Sequence, residues 1–265
     1  MSALKSVSYV LNRFLLRRAF LNARVGELKF RVKTEDVVGR HIYKYGRHEP
    51  QLTEWLRATV EPRDGELLID IGANIGWYAL LFETLCRGTT AEVHAFEPAP
   101  DNLDLIRHNL QQNQSKHVTL HEMGLSDNSE GAALHLFSDA NRGRHSLLPI
   151  NDHATVDIPT ARLDDVLESM QLADRPVRLI KIDIEGFELI ALRGAHATLE
   201  CCEFVVTEFS PHYMRQGGLK PRDMLDLLAS KGFEPGLLKD TEVVMTSVDS
   251  LEAADRQCDI IWQRR

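Results

Sequence analysis

The chain has 265 residues, of which 43% are hydrophobic and 26% charged, enough for one full core with an extension. A net charge of −8 and a pI near 5.8 argue against a polyanionic partner, because nucleic-acid affinity rests on clustered Lys and Arg. The four cysteines, Cys86, Cys201, Cys202 and Cys258, form neither a CxxC pair nor a zinc spacing, so reduced thiols in a cytoplasmic setting are expected.

No apolar run reaches the length of a membrane span, and no internal repeat appears. Residues 1–26 carry Lys5, Arg13, Arg17, Arg18 and Arg24 and no acid, a local charge of +5 that leaves −13 on the remainder. Val7, Val10, Leu11, Phe14, Leu15 and Leu21 can share a helix face. That helix either packs on the domain or rests as a basic amphipathic segment on an anionic membrane surface. A signal peptide is not expected, since Asn12 and Arg13 interrupt the apolar stretch and no clear small-residue cleavage site follows. Residues 27–46 alternate as a short hairpin or strand through Leu28, Phe30 and Val32, then Val37 and Val38. Glu49 to Val60 reads as a helix ended by Glu61-Pro62. Residues 1–61 thus form an extension and residues 62–265 the main domain.

The main domain opens with strand Glu66–Ile71, a glycine-rich turn over Asp70–Gly76, and helix Trp77–Leu85. Strand Ala91–Phe96 follows, ending at Glu97, twenty-one residues past Gly76. Next come a helix from Pro100 to Asn113, strand His117–His121, short strands Gly131–Phe137 and Thr155–Ile158, and helix Leu163–Met170. Strand Arg178–Ile184, helix Gly186–Leu199, strand Glu203–Phe209 and helix Pro221–Lys231 complete the alternation. Glu242–Thr246 and Cys258–Gln263 close the sheet as a late pair. Strands alternating with helices mean an α/β, doubly wound, mostly parallel sheet, with ligands beyond the C-terminal strand ends.

The turn selects the cofactor. A dinucleotide site uses G-x-G-x-x-G so that backbone N–H groups can approach a pyrophosphate. Here Asn74 replaces the middle glycine of Asp70-x-Gly72-x-Asn74-x-Gly76, and Asp70 would repel a pyrophosphate. A cofactor with a cationic end and no phosphate, S-adenosylmethionine, suits that carboxylate. Glu97 can accept both ribose hydroxyls.

A second acidic group, Asp183, Glu185 and Glu188 within Lys181–Glu188, lies where an apolar strand gives way to a helix. Acids there are costly unless paired or used. Asp183 and Glu185 would share a face if the strand reached Glu185. Glu188 would sit in the first helical turn, where the dipole favours an acid. A hydroxyl needs a base, or a metal, before it attacks a sulfonium carbon. Asp183 or Glu185 can be that base; Asp183, Glu185 and Glu208 could instead hold a divalent ion through oxygen ligands. Among the histidines, His121, His145 and His212 are candidate bases, and His212 is kept because it follows the fifth strand. Asp127, in Gly124–Asp127, can meet an adenine amino group.

Together these features resemble the FkbM-type methyltransferases, over roughly Val38 to Phe233. The resemblance rests on Glu49-Pro50, Asp70–Gly76, Phe96-Glu97-Pro98, Gly124–Asp127, Leu163-Asp164, Lys181–Glu188 and Thr207-Glu208. It implies a Rossmann-like, seven-stranded class I methyltransferase fold and O-methylation of a sugar, glycolipid, polysaccharide or natural product. It implies that Asp70, Gly72, Gly76 and Glu97 bind cofactor, with Asp127 near adenine and Asp183 and Glu185 at the reacting end. Residues 1–26 and the loop 138–154 fall outside it and are the regions expected to choose the acceptor. The competing readings are a protein or nucleic-acid methyltransferase, an NAD-binding Rossmann-like protein, and a non-catalytic binding module. The first is opposed by Asp183-Ile184-Glu185-Gly186 where adenine methylation uses an Asn/Asp-Pro-Pro-aromatic run. The second is opposed by Asp70 and Asn74.

Overall fold

A computed structural model describes residues 2–135, 147–148 and 154–265. His145 and most of the loop 138–154 lie outside the described residues. The chain opens with α1 (Ser2–Val10), which runs into one wider π-helical turn at Leu11–Leu15. Strands β1 (Phe20–Val25) and β2 (Leu28–Lys33) follow as an antiparallel hairpin. The expected hairpin therefore starts earlier, and Leu21 belongs to a strand rather than to the helix face. Val37 and Val38 open α2 (Val37–Tyr45), not a strand, because the Asp36 carboxylate caps the helix by accepting the Gly39 N–H. Helix α3 (Pro50–Thr59) begins on a proline, which its first turn tolerates.

The main domain runs β3 (Leu67–Ile71), α4 (Trp77–Leu85), β4 (Glu92–Phe96), α5 (Pro100–Gln112) and β5 (Val118–His121). After it come the short strands β6 (Gly124–Leu125), β7 (Ala132–His135), β8 (Thr155–Ile158) and β9 (Thr160–Ala161), then α6 (Leu163–Ser169) and β10 (Val177–Ile182). The sequence's single helix over 186–199 is two, α7 (Glu188–Arg193) and α8 (His196–Glu200). They break where Gly194 packs so closely that a Cβ there would lie 2.0 Å from the Ser126 carbonyl oxygen. The chain ends with β11 (Cys202–Phe209), α9 (Pro211–Gln216), α10 (Pro221–Ser230), β12 (Phe233–Lys239), β13 (Glu242–Met245), α11 (Val248–Ala254) and β14 (Cys258–Arg264).

The main sheet has eight strands, in the order β13-β12-β14-β11-β10-β3-β4-β5, rather than seven. From β11 to β5 every pairing is parallel; β14 runs antiparallel between β11 and β12. The expected late pair does not form: β13 pairs with β12. The missing strand was β12, whose Pro235-Gly236 reads as a turn.

One apolar layer joins Leu68, Leu179 and Phe204 of the sheet to Phe30 of the hairpin, Trp55 of α3 and Phe82 of α4. The opposite layer packs α6, α7, α8, α10 and α11 against β10, β11 and β14, through Leu163, Leu192, Leu228 and Trp262. Asn109 of α5 ties the hairpin to the domain: its side chain accepts the Arg31 N–H at 2.7 Å and donates to the Ile75 carbonyl at 2.8 Å. Among the described residues no helix is long and apolar enough to cross a membrane.

Candidate active site

Two turns at the C-terminal edge of the parallel strands build the site. The first follows β3. Asp70, next to last in β3, is fully buried and stands in register with Lys181 of β10. Burial pushes its carboxyl up to about 6; Lys181 opposes that shift and Asp183 reinforces it. Gly72 then turns the chain at φ +83°, and a Cβ there would lie 2.1 Å from the Asp183 carbonyl oxygen. Only glycine lets the two turns touch. Asn74, also at positive φ, donates its N–H to Glu97 at 2.7 Å, and the Ala99 N–H donates to the other carboxylate oxygen at 2.8 Å. Burial outweighs these bonds and pushes Glu97 up to about 7. Gly72, Asn74, Phe96, Glu97, Met123 and Leu125 line an open cleft.

The second turn follows β10, which ends at Ile182, so the strand does not carry Glu185. Glu185 sits at φ 52° and Gly186 at φ +98°. Glu188, buried at the start of α7, accepts the N–H groups of Ile184 at 3.0 Å and Gly186 at 3.1 Å, and burial pushes it up to about 7. It organises the turn from within. The turn, not strand pleating, brings Asp183 and Glu185 together. With Glu208 of β11 they place carboxylate oxygens within 4.8 Å of one another. Glu208 accepts hydrogen bonds from Gln257 and Ser210; burial, then the charges of Asp183, Glu185 and Glu188, pushes it up to about 9.

Lys181 is the cation among these acids. It pairs with Asp183 at 3.0 Å and lies 4.7 Å from the centre of the Tyr78 ring. Burial works against its charge, but Asp183, Asp70 and Glu49 together hold its pKa above the ordinary value. The Tyr78 hydroxyl donates to Glu49, and His48 Nε2 lies 3.3 Å from the Glu49 carboxylate. Burial holds the His48 imidazole below its usual pKa. Asp36, His48, Glu49, Tyr78, Lys181 and Glu208 help wall a second cleft. Gly72, Asn74 and Asp183 line both clefts, so the two meet there.

The structure therefore brings Gly72, Asn74, Glu97, Asp183, Glu185 and Glu208 to one mouth. Asp70 and Gly76 support the turn from behind: Asp70 is fully buried and lines neither cleft, and Gly76 opens α4 against Ile106. Two expected residues are not brought in. His212 is exposed on α9, with its ring beside Tyr213, and lines neither cleft. Asp127 is exposed and bonded to Asn128 at 2.9 Å; Met123 and Leu125 line the cleft in its place. His121 stacks on Phe96 at 4.4 Å between ring centres and bonds His94. Sequence reading missed His48 and Tyr78. Their signals were faint: a histidine before Glu49-Pro50, and a hydroxyl in an otherwise apolar helix start.

Residues 70–235 match the Methyltransferase FkbM domain family. The chain belongs to that family. Among curated FkbM relatives, the hexuronic acid methyltransferase AglP of Haloferax volcanii is 30% identical over 169 residues, 64% of this chain and 64% of that protein. The 2-O-methyltransferase NoeI of Sinorhizobium fredii is 27% identical over 179 residues, 62% of this chain and 71% of that protein. The crystal structure of methyltransferase FkbM from Methylobacillus flagellatus superposes with a TM-score of 0.50 at 22% identity, covering 78% of this chain and 45% of that one. The alignments thus span under two thirds of the Haloferax and Methylobacillus chains. The FkbM fold is the Rossmann-like class I methyltransferase fold expected from the sequence.

Proposed function

We propose that this FkbM-family chain is an enzyme that transfers the methyl group of S-adenosylmethionine to a hydroxyl of a sugar-containing acceptor. The observation that carries the reading is the meeting of two clefts at Gly72, Asn74 and Asp183. One cleft suits the cofactor. Glu97 takes two backbone N–H bonds and one from the Asn102 side chain and keeps acceptor capacity for a ribose hydroxyl, and Phe96, Met123 and Leu125 offer an apolar purine face. No Lys or Arg is among the described residues lining that cleft, which disfavours a dinucleotide pyrophosphate and hence the NAD reading. Bound there, the cofactor supplies a methyl group on a positively charged sulfur.

The chain's own residues do the rest. Asp183 takes the proton from the acceptor hydroxyl while Lys181 fixes its carboxylate at 3.0 Å. Glu185 and Glu208 bind further hydroxyls of the same acceptor. Holding acceptor and cofactor in line contributes on the order of 7–11 kcal/mol. Residues 62–265 form the catalytic unit, and the extension 1–61 lends Asp36, His48 and Glu49 to the acceptor wall. The name of one relative, a hexuronic acid methyltransferase, supports a glycan acceptor, and that of a second, a 2-O-methyltransferase, supports transfer to oxygen. Four free thiols support a cytoplasmic site of action.

A second reading keeps the reaction and changes how the hydroxyl is activated. The close carboxylates of Asp183, Glu185 and Glu208 offer oxygen ligands for a divalent ion, which would lower the hydroxyl pKa in place of the base. The experiment for the main reading is transfer of labelled methyl from S-adenosylmethionine to isolated glycolipid and polysaccharide fractions. Label in a glycan fraction is expected; label confined to protein or nucleic acid overturns the acceptor class.

A further inference from the structure

Segment Ser2–Leu15 is an amphipathic helix turned inside out. The residues it presents to the body are polar or hydroxylated. Tyr9 is 3% exposed and donates its hydroxyl to the Thr34 carbonyl. Ser8 bonds Tyr43 at 2.9 Å, Asn12 donates to the Ser8 carbonyl at 2.8 Å, and Lys44 sits 4.6 Å from the centre of the Tyr9 ring. The apolar row points to solvent: Leu4 is 79% exposed, Val7 68%, Phe14 65% and Leu15 73%. Val10 and Leu11 extend the same surface, and the π-helical turn keeps Leu11, Phe14 and Leu15 on it. A helix that meets water on one side normally shows it the polar face. A contiguous exposed apolar patch marks a surface with a partner.

The charge around the row identifies that partner. Arg17 and Arg18 are exposed directly after it in the chain, and Arg13 reaches over the Phe14 ring at 5.1 Å. No acid occurs in residues 1–26, whereas the remainder carries −13. An acidic body is repelled by an anionic bilayer, so a local excess of +5 flanking apolar side chains is complementary to one. We infer that the exposed face of Ser2–Leu15, flanked by Arg13, Arg17 and Arg18, docks the protein on the surface of an anionic lipid bilayer. Its apolar side chains enter the headgroup boundary and its arginines lie at the phosphates. Helix α1 packs on α2, and Val37 and Val38 at the start of α2 wall the second cleft. The docked face therefore lies one helix away from that cleft.

Vesicle flotation tests this without any acceptor or turnover, so it stands apart from the methyl-transfer reading. Full-length protein is mixed with phosphatidylglycerol-rich or with pure phosphatidylcholine vesicles. Flotation is expected with the anionic vesicles and at least tenfold weaker with the neutral ones or in about half-molar salt. The triple variant Leu11→Asp, Phe14→Asp, Leu15→Asp should lose flotation by tenfold or more while keeping its melting temperature and its cofactor affinity. Arg17→Glu with Arg18→Glu should lose the preference for anionic lipid. Wild-type protein that stays with the soluble fraction, or a triple variant that floats like wild type, overturns the inference. So does a wild-type dimer in sedimentation velocity that the triple variant converts to monomer without any vesicle binding, since the row then meets a second copy.

Discussion

Replacing Glu97 by Gln separates the cost of a buried charge from its use. Burial raises the Glu97 carboxyl from the ordinary 4.5 to about 7. At about 1.4 kcal/mol per unit, its ionisation costs the folded, cofactor-free protein on the order of 3 kcal/mol more than the unfolded chain. The sign follows from the raised value. Below pH 4.5 both states keep the proton and the full stability is present. Between 4.5 and about 7 the unfolded chain ionises first, and stability is lost until the folded carboxyl ionises as well. Glu97→Gln removes this share of the pH slope. It also leaves the Asn74 or the Ala99 N–H facing an amide NH2, at a cost of about 1–3 kcal/mol. The variant should therefore be about 1–3 kcal/mol less stable than wild type at pH 4 and equal to it or better at pH 8. Urea denaturation of the cofactor-free proteins at four pH values reads this directly. Calorimetry should show S-adenosylmethionine bound about tenfold to a hundredfold more weakly, the worth of one charge-assisted hydrogen bond. An unchanged pH slope refutes the burial argument; unchanged affinity refutes the ribose contact.

Asp183→Asn should lower turnover by a factor on the order of a hundred to ten thousand while holding cofactor affinity within about tenfold, measured by single-turnover kinetics and calorimetry. Chelator treatment should leave wild-type turnover intact; a loss restored by added divalent ion would assign Asp183, Glu185 and Glu208 to a metal instead. Gly72→Ala should cost at least about 2 kcal/mol in urea denaturation, because its Cβ would meet the Asp183 carbonyl oxygen at 2.1 Å with the backbone at φ +83°.

The first cleft was legible because its signals are local. Apolar run, glycine turn and apolar helix follow one another, and Trp77–Leu85 forms the helix its sequence announces. Glu97 falls at a strand end by simple counting. The acid turn was legible in composition but not in geometry, since nothing in Asp183-Ile184-Glu185 tells that the strand stops at Ile182 and that Glu185 turns to positive φ. The second cleft's wall was least legible. His48 and Glu49 reach it through long-range packing, with Glu49 itself at φ 41°, and no sequence period encodes that approach. Val37 and Val38 misled as β-branched neighbours, though Asp36 three residues before Gly39 was a usable capping signal. His212 was placed by strand order alone, which fixes where α9 begins but not which way its side chains face.

The family match begins at Asp70, yet Asp36, His48 and Glu49 wall the second cleft from upstream of it. Chimaeras cut at the family boundary would carry the glycine turn intact and leave behind a third of the residues that line the second cleft. Exchanging residues 27–61 between relatives, with everything from β3 onward held constant, should redirect which hydroxyl is presented without rebuilding the methyl-donor side. The same division separates the consequences of substitution: changes around Glu49 reshape the second cleft alone, while changes around Gly72 disturb both turns at once, because the Asp183 carbonyl occupies the space its side chain would need.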